Sequence, residues 1–194
     1  MAMNLVHRRR CSSAGWEKAV AEQLLPWALE GVQLGARTLE IGPGYGATLR
    51  ALVERTASLT AVEADAAMAD RLRHRYGERA RVIHGDGTDT GLPADHFTSV
   101  VCFTMLHHVP GAESQDRLFA EAFRVLRPGG VFAGSDGVPS WAFRLLHLAD
   151  TYNPIAPKDL PGRLEAAGFT EIRSGVSGRR QRWRATKPVG RATG

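Results

Sequence analysis

The sequence predicts an α/β domain built on a doubly wound, mostly parallel sheet with helices on both faces. Three observations carry this. From Arg37 onward, short apolar runs alternate with amphipathic stretches, the pattern of repeated strand–helix units joined by right-handed crossovers. The run Phe97–Thr104 is apolar on both faces, as a central parallel strand must be when helices cover both sides. The stretch from Thr38 to Leu49 reads as a strand, a glycine turn and a helix start, and in such folds the ligand lies at the carboxyl ends of the strands beside that first unit.

The elements follow in order. Ser12 and Ser13 can cap a helix beginning near Gly15, with Trp16, Val20, Leu24 and Leu25 at helical spacing. Pro26 kinks it or starts a second short helix through Trp27-Ala28-Leu29. Strand one covers 37–41 and a helix covers 46–55. Strand two covers 58–63, followed by a helix over 66–77 with Met68, Leu72 and Tyr76 on one face. Arg81 to His84 is a short third strand, closed by the turn Gly85-Asp86-Gly87. Strand four covers 97–104. The helix over 113–126 buries Leu118, Phe119, Ala122, Val125 and Leu126, and Arg127-Pro128-Gly129-Gly130 stops it before a fifth strand over 131–134. A helix over 141–150, a loop over 152–157 and a helix over 158–167 come next, with Gly168 placed to end the last of these. A hairpin of 169–174 with 180–185 supplies strands six and seven, with Arg180, Arg182 and Arg184 on one face and Trp183 on the other. The domain expectation is an N-terminal helical cap over 1–35, the α/β domain over 36–188 and a disordered tail over 189–194.

Composition bounds the chemistry. The 194 residues fit one core, and 43% hydrophobic with 23% charged residues is ordinary for a globular protein. No apolar run approaches the roughly 20 residues of a membrane span. His7-Arg8-Arg9-Arg10 is not followed by the apolar stretch of a signal peptide. Cys11 and Cys102 are far apart and outside any CxxC pattern, so the expectation is no disulfide framework, no metal and a cytoplasmic location. The net charge of +5 comes mostly from the two ends, Arg8 to Arg10 and Arg179 to Arg191. It reads either as a solvated basic surface or as attraction to an anionic partner. Only Trp183 lies among the C-terminal arginines, which is thin support for nucleic acid, where interleaved aromatics are expected.

Gly42, Gly44 and Gly46 let backbone come close to a ligand, and the helix start behind them offers N–H groups to an anion. Glu63, about 20 residues after Gly42 at the end of the second apolar run, can accept hydrogen bonds from a ribose diol. Together they describe a pocket for an adenine nucleoside. Gly42-Pro43-Gly44-Tyr45-Gly46-Ala47 also satisfies G-x-G-x-x-G/A, so the loop alone leaves a nicotinamide enzyme open.

Five motifs in order point to one family. Glu40-Ile41-Gly42-Pro43-Gly44-Tyr45-Gly46 resembles the E/D-x-G-x-G-x-G motif of class I S-adenosylmethionine-dependent methyltransferases. Val62-Glu63-Ala64-Asp65 is similar to the acidic end of their second strand, and Gly85-Asp86-Gly87 with Leu92-Pro93 and Phe97 to their third motif. Val100 to Val109 resembles their fourth strand and its loop, and Val125-Leu126-Arg127-Pro128-Gly129-Gly130 the turn before their fifth. The resemblance covers about residues 36–136. It implies a single Rossmann-like, seven-stranded sheet, mostly parallel with a C-terminal antiparallel hairpin. Its cofactor is S-adenosyl-L-methionine and its product S-adenosyl-L-homocysteine. Glu40 favours this family over the dinucleotide enzymes, and no second nucleotide-binding half is present.

The resemblance also implies roles. Gly42 and Gly44 pass close to the methionine part of the cofactor, and Tyr45 belongs to the same cofactor-binding set. Glu63 accepts the ribose hydroxyls, Asp86 accepts the adenine amine beside the Gly87 amide, and Ala64 walls the adenine with Met68. Phe103 and Thr104 approach the sulfonium region, and Glu40 either steers the amino group or is structural. His107 and His108 follow strand four, where acceptor and sulfonium meet. An unperturbed imidazole titrates near pH 6.5, which suits a base if the acceptor must lose a proton. Tyr45, Asp136, His147 and Tyr152 stand around the same mouth.

Thr104-Met105-Leu106-His107 is not the N/D-P-P-Y/F pattern of base-amine methylation, and no Pro-Cys pair serves a cytosine C5 nucleophile. The expected acceptor is therefore a small molecule or a lipid-like compound. Trp141, Phe143, Leu145, Leu146 and Leu148 read as an apolar lid or as core, and peripheral membrane contact and oligomeric state stay open. The alternatives are an RNA-directed methyltransferase, or a non-catalytic nucleotide-binding protein of the same fold.

Overall fold

A computed structural model of the chain describes residue 9, residues 11–146 and residues 150–190. Its centre is one seven-stranded sheet of order β3-β2-β1-β4-β5-β7-β6. The strands are β1 (Arg37–Ile41), β2 (Ser58–Glu63), β3 (Arg81–His84), β4 (Phe97–Phe103), β5 (Leu126–Gly137), β6 (Thr170–Ser177) and β7 (Arg180–Thr186). The first five pair in parallel, and β7 runs antiparallel to both β5 and β6. The order reverses between β1 and β4, which opens a crevice at the carboxyl ends of those two strands. This is the Rossmann-like arrangement that the alternation of strands and helices predicts.

Two apolar layers sandwich the sheet. On one face α5 (Gly111–Val125) and α7 (Leu160–Ala166) pack Leu118, Phe119, Ala122 and Leu164 against Leu39, Val100 and Phe132. On the other lie α1 (Ala14–Ala19), a π turn (Val20–Leu24), α2 (Leu25–Ala28), α3 (Ala47–Leu52) and α4 (Ala66–Tyr76). There Val20, Leu24, Leu49, Leu52 and Leu72 meet Ala61, Val101 and Phe103. All seven residues of β4 are buried, as a doubly covered central strand requires. Helix α6 (Trp141–Leu146) lies beyond the carboxyl end of β5.

Ser13 is the cap of α1, accepting the Trp16 N–H at 3.1 Å. Pro26 has no N–H and its ring crowds the carbonyl one turn back, and the helix loosens ahead of it into the π turn. Gly168 adopts φ +99, and the Gly168 and Phe169 amides close the end of α7 onto Glu165 and Leu164.

Several boundaries differ from the sequence expectation. The helix expected over 46–55 is Ala47–Leu52, that over 113–126 is Gly111–Val125, and that over 158–167 is Leu160–Ala166. The expected stop at Arg127-Pro128-Gly129-Gly130 lies inside β5. Leu126 pairs with Phe97, and the Gly129 N–H and Gly130 carbonyl both bond to Lys187 beyond β7. Partners distant in sequence hold a turn-like stretch in the sheet. Of the helix expected over 141–150, the structure describes Trp141–Leu146; residues 147–149, and so His147 and Leu148, lie outside the described residues. Residues 191–194 of the expected tail also lie outside them.

Candidate cofactor site

The crevice at the switch point is a cavity. It is lined by Ile41, Gly42, Pro43, Gly44, Tyr45, Ala47 and Thr48 from the β1–α3 turn, and by Val62, Glu63, Ala64, Asp65 and Met68 from β2 and the start of α4. Gly87, Thr104, Met105, His108 and Thr151 close the far wall, and Cys11 and Trp16 close it from the N-terminal side. A second cavity continues from Ala64, Gly87, Met105 and Thr151 toward Asp86, Thr88, Pro110 and Arg117.

The glycine loop is shaped by Glu63. Its Oε2 accepts the Gly44 N–H at 2.9 Å and its Oε1 accepts the Asp65 N–H at 3.0 Å. A carboxylate has about four acceptor positions, so each oxygen keeps a lone pair for a further donor. Gly44 has φ +56, and a Cβ added there would meet nothing within 4 Å, so the space above it belongs to the cavity. Gly42, at φ +69, is overlaid by Met105, whose Cε would lie 2.8 Å from an added Cβ.

Across the cavity Thr104 adopts φ +53, a strained value for a β-branched residue. Its N–H donates to the Ser135 carbonyl at 2.7 Å. Such strain persists only where the surroundings fix it, and it gathers at functional sites. This turn at the end of β4 carries Met105 and His108 to the cavity wall.

Below the loop, Glu40 is 1% exposed. The Thr48 hydroxyl donates to its Oε1, and its Oε2 meets no hydrogen-bond partner among the described residues. Burial pushes the Glu40 carboxyl up to about 8; the Thr48 hydroxyl pulls it back and the Glu63 charge adds to the rise.

Gly42, Gly44, Tyr45, Glu63, Ala64, Gly87, Thr104 and His108 are brought together in one cavity. Glu40 reaches it only through Thr48. Asp86 lines the adjoining cavity, exposed, and accepts the Thr88 N–H at 2.8 Å. The side chain of Phe103, 3% exposed, packs into the core on the helix side with Val101 and Leu49 instead of facing the crevice, because alternation along β4 turns it away. His107 is 2% exposed and does not line the cavity. Its Nδ1 lies 2.5 Å from Asp136 Oδ1, and its N–H donates to Asp136 Oδ2 at 2.8 Å. This pair ties the β4 turn to β5. Thr48 and Met105, which lie within the motif stretches without a role of their own in the sequence reading, line the cavity, and so does Thr151, which has no signal in the sequence. Among the described residues no cluster of three or more His, Cys, Asp or Glu side chains could hold a metal ion.

Residues 39–134 match the methyltransferase domain family. The chain belongs to the class I S-adenosylmethionine-dependent methyltransferases. It is 38% identical over 136 residues to a probable S-adenosylmethionine-dependent methyltransferase of Mycolicibacterium smegmatis, covering 66% of this chain and 49% of that protein. It is 28% identical over 134 residues to a sterol 24-C-methyltransferase of Yarrowia lipolytica, covering 66% and 32%. A shorter match, 47% over 57 residues, covers 29% of the chain and 21% of the ribosomal RNA small subunit methyltransferase A of Cupriavidus taiwanensis. Among solved structures, PigF with S-adenosylhomocysteine superposes with a TM-score of 0.63 at 26% identity, over 78% of this chain and 50% of that one. The methyltransferase chain thus spans about half or less of these curated relatives. The residues present fit the family's cofactor: glycine backbone open above Gly44, a strand-end carboxylate with spare acceptor positions, and a buried carboxyl oxygen without a partner among the described residues.

Proposed function

We propose that the protein is a methyltransferase that uses S-adenosylmethionine to methylate a small-molecule or lipid-like acceptor. The observation that carries this reading is the Glu63 carboxylate, fixed by the Gly44 and Asp65 amides at the edge of a cavity floored by Gly42 and Gly44. Glu63 would hold the ribose hydroxyls, Gly42, Gly44 and Tyr45 the methionine portion, and Ala64, Met68 and Gly87 the adenine. Asp86 would meet the adenine edge from the adjoining cavity, and Glu40 would act through Thr48. When bound, S-adenosylmethionine supplies a methyl group already activated on a sulfonium. The protein's own task is to hold the acceptor in line with it and exclude water.

His108 lines the cavity and is the candidate to take a proton from the acceptor. Buried His107, locked on Asp136, positions the turn that presents His108, Thr104 and Met105. Support for an apolar acceptor comes from the sterol relative. The RNA-directed alternative draws on the ribosomal RNA relative, but its basic strand is already engaged. Arg180 stacks on Trp16, Arg182 on Trp27 with Glu30, and Arg184 donates to the Gly31 carbonyl.

The test measures S-adenosylhomocysteine release with a panel of apolar hydroxylated compounds, sterols and ribosomal RNA. Turnover with an apolar acceptor, reduced about 10²–10⁴-fold in His108→Ala, is the expected result. Turnover with RNA alone would overturn the acceptor class.

A further inference from the structure

Helix α6 has two faces of different character. Phe143 turns inward, its ring 4.8 Å from that of His107 and 5.4 Å from that of Tyr152, measured between centroids. It lies over Gly137, where an added Cβ would come within 2.4 Å of the ring. The Tyr152 hydroxyl bonds to both the carbonyl and the N–H of Ser140, at 3.1 and 3.2 Å. The segment is thus anchored by its inner face. Trp141 and Leu145 lie one turn apart on the outer face and are 80% and 57% exposed. Arg144, between them in sequence, is exposed as well.

The β6–β7 hairpin ends at the same edge of the sheet, because β6 runs parallel to β5. Val176 there is 56% exposed. Exposed Arg179 accepts the Val138 N–H at 3.0 Å through its carbonyl, joining the hairpin tip to the approach to α6. The result is a set of outward apolar side chains with guanidinium groups among them, at the same carboxyl-end edge of the sheet as the cofactor cavity.

Large apolar side chains at such exposure mark a contact surface when they cluster. Three of them fall well short of the about 800 Å² per partner that a stable protein interface buries. An indole and a leucyl side chain beside arginines suit the boundary between headgroups and acyl chains, where the apolar parts enter and the cations meet lipid phosphates. The chain's net charge of +5 favours the same partner. We propose that the rim of Trp141, Arg144, Leu145, Val176 and Arg179 docks onto an anionic lipid surface. Docking there turns the carboxyl-end edge of the sheet, which holds the cofactor cavity, toward the bilayer, so that an acceptor dissolved in lipid reaches it directly. That consequence rests on the methyltransferase reading, whereas the docking itself does not.

The test is flotation of the full chain with vesicles of phosphatidylcholine mixed with phosphatidylglycerol, and with phosphatidylcholine alone, in low and high salt. The expected result is flotation with the anionic vesicles, weakened by salt and reduced about tenfold or more by Trp141→Ser with Leu145→Ser and by Arg144→Glu. Calorimetric binding of S-adenosylhomocysteine, unchanged in these variants, shows that they fold and keeps failure of docking separate from failure of the cofactor reading. No flotation of the wild type would overturn the proposal. So would flotation that the paired substitution leaves intact, or a dimer of the wild type that this substitution converts to monomer.

Discussion

At Glu40 one carboxyl oxygen accepts the Thr48 hydroxyl and the other is buried without a donor among the described residues. The folded protein holds this proton up to about pH 8, whereas the unfolded chain releases it near 4.5. Between those values the folded state binds more protons, so stability falls as pH rises. Replacing the group by a neutral isostere removes that loss. Thermal melts of Glu40→Gln should match the wild type near about pH 5 and exceed it by on the order of several kcal/mol near about pH 9; a difference that does not grow with pH contradicts the account. His107 and Asp136 are buried together, each 2% exposed. Removing one partner leaves the other buried without its hydrogen bond, so Asp136→Ala should cost on the order of 3 kcal/mol in urea unfolding. Of these residues, the sequence marks Glu40 by its place in a motif and His107 by its place after β4. It gives no sign that Asp136 takes His107 out of the cavity, because that pairing crosses from the β4 turn to β5.

The glycine loop and β5 place different demands on their glycines. Gly44 has a left-handed φ but open space where a Cβ would stand, whereas Gly134 would drive a Cβ to 2.2 Å from the Cys102 carbonyl and 2.5 Å from Trp183. Gly44→Ala should therefore cost only about 1–2 kcal/mol of stability through added backbone strain, yet weaken S-adenosylhomocysteine binding at least about tenfold by filling the cavity. Gly134→Ala should instead lower the melting temperature severely with a clash in the core. Equal losses of stability in the two variants would contradict this division. The strand–helix alternation was legible because each β strand of the parallel half carries its own apolar run. The extent of β5 was not, since its Arg127-Pro128-Gly129-Gly130 stretch is held by Phe97 and Lys187, which are distant in sequence. Of the residues expected in an apolar lid, three resolve only in three dimensions: Phe143 faces in, while Trp141 and Leu145 face out.

At the scale of the whole molecule, the basic C-terminal strand fastens the N-terminal helices to the domain. Arg182 stacks 5.3 Å from the Trp27 ring and pairs with Glu30 at 2.8 Å, and Arg180 stacks 5.6 Å from the Trp16 ring, which itself lines the cofactor cavity. Glu17 adds ion pairs to Arg50 at 2.6 Å and Arg75 at 3.3 Å on the far side. The N-terminal segment thereby becomes a wall of the crevice at the switch point. Arg182→Ala should raise hydrogen exchange across residues 14–28 and weaken cofactor binding severalfold while the sheet stays protected; unchanged exchange there would show that the arginines are surface charge only.

Cofactor binding turns on Glu63, whose oxygens hold the Gly44 and Asp65 amides and keep acceptor positions for a ribose diol. Calorimetric titration of the wild type, Glu63→Gln and Glu63→Ala with S-adenosylhomocysteine and with NAD measures this directly. The expected result is micromolar binding of S-adenosylhomocysteine to the wild type, weakened at least about 100-fold in both variants by loss of charge-assisted hydrogen bonds, and no binding of NAD. Absence of S-adenosylhomocysteine binding to the folded wild type, or equal affinity in the folded variants, would contradict the assignment of this crevice as the cofactor site.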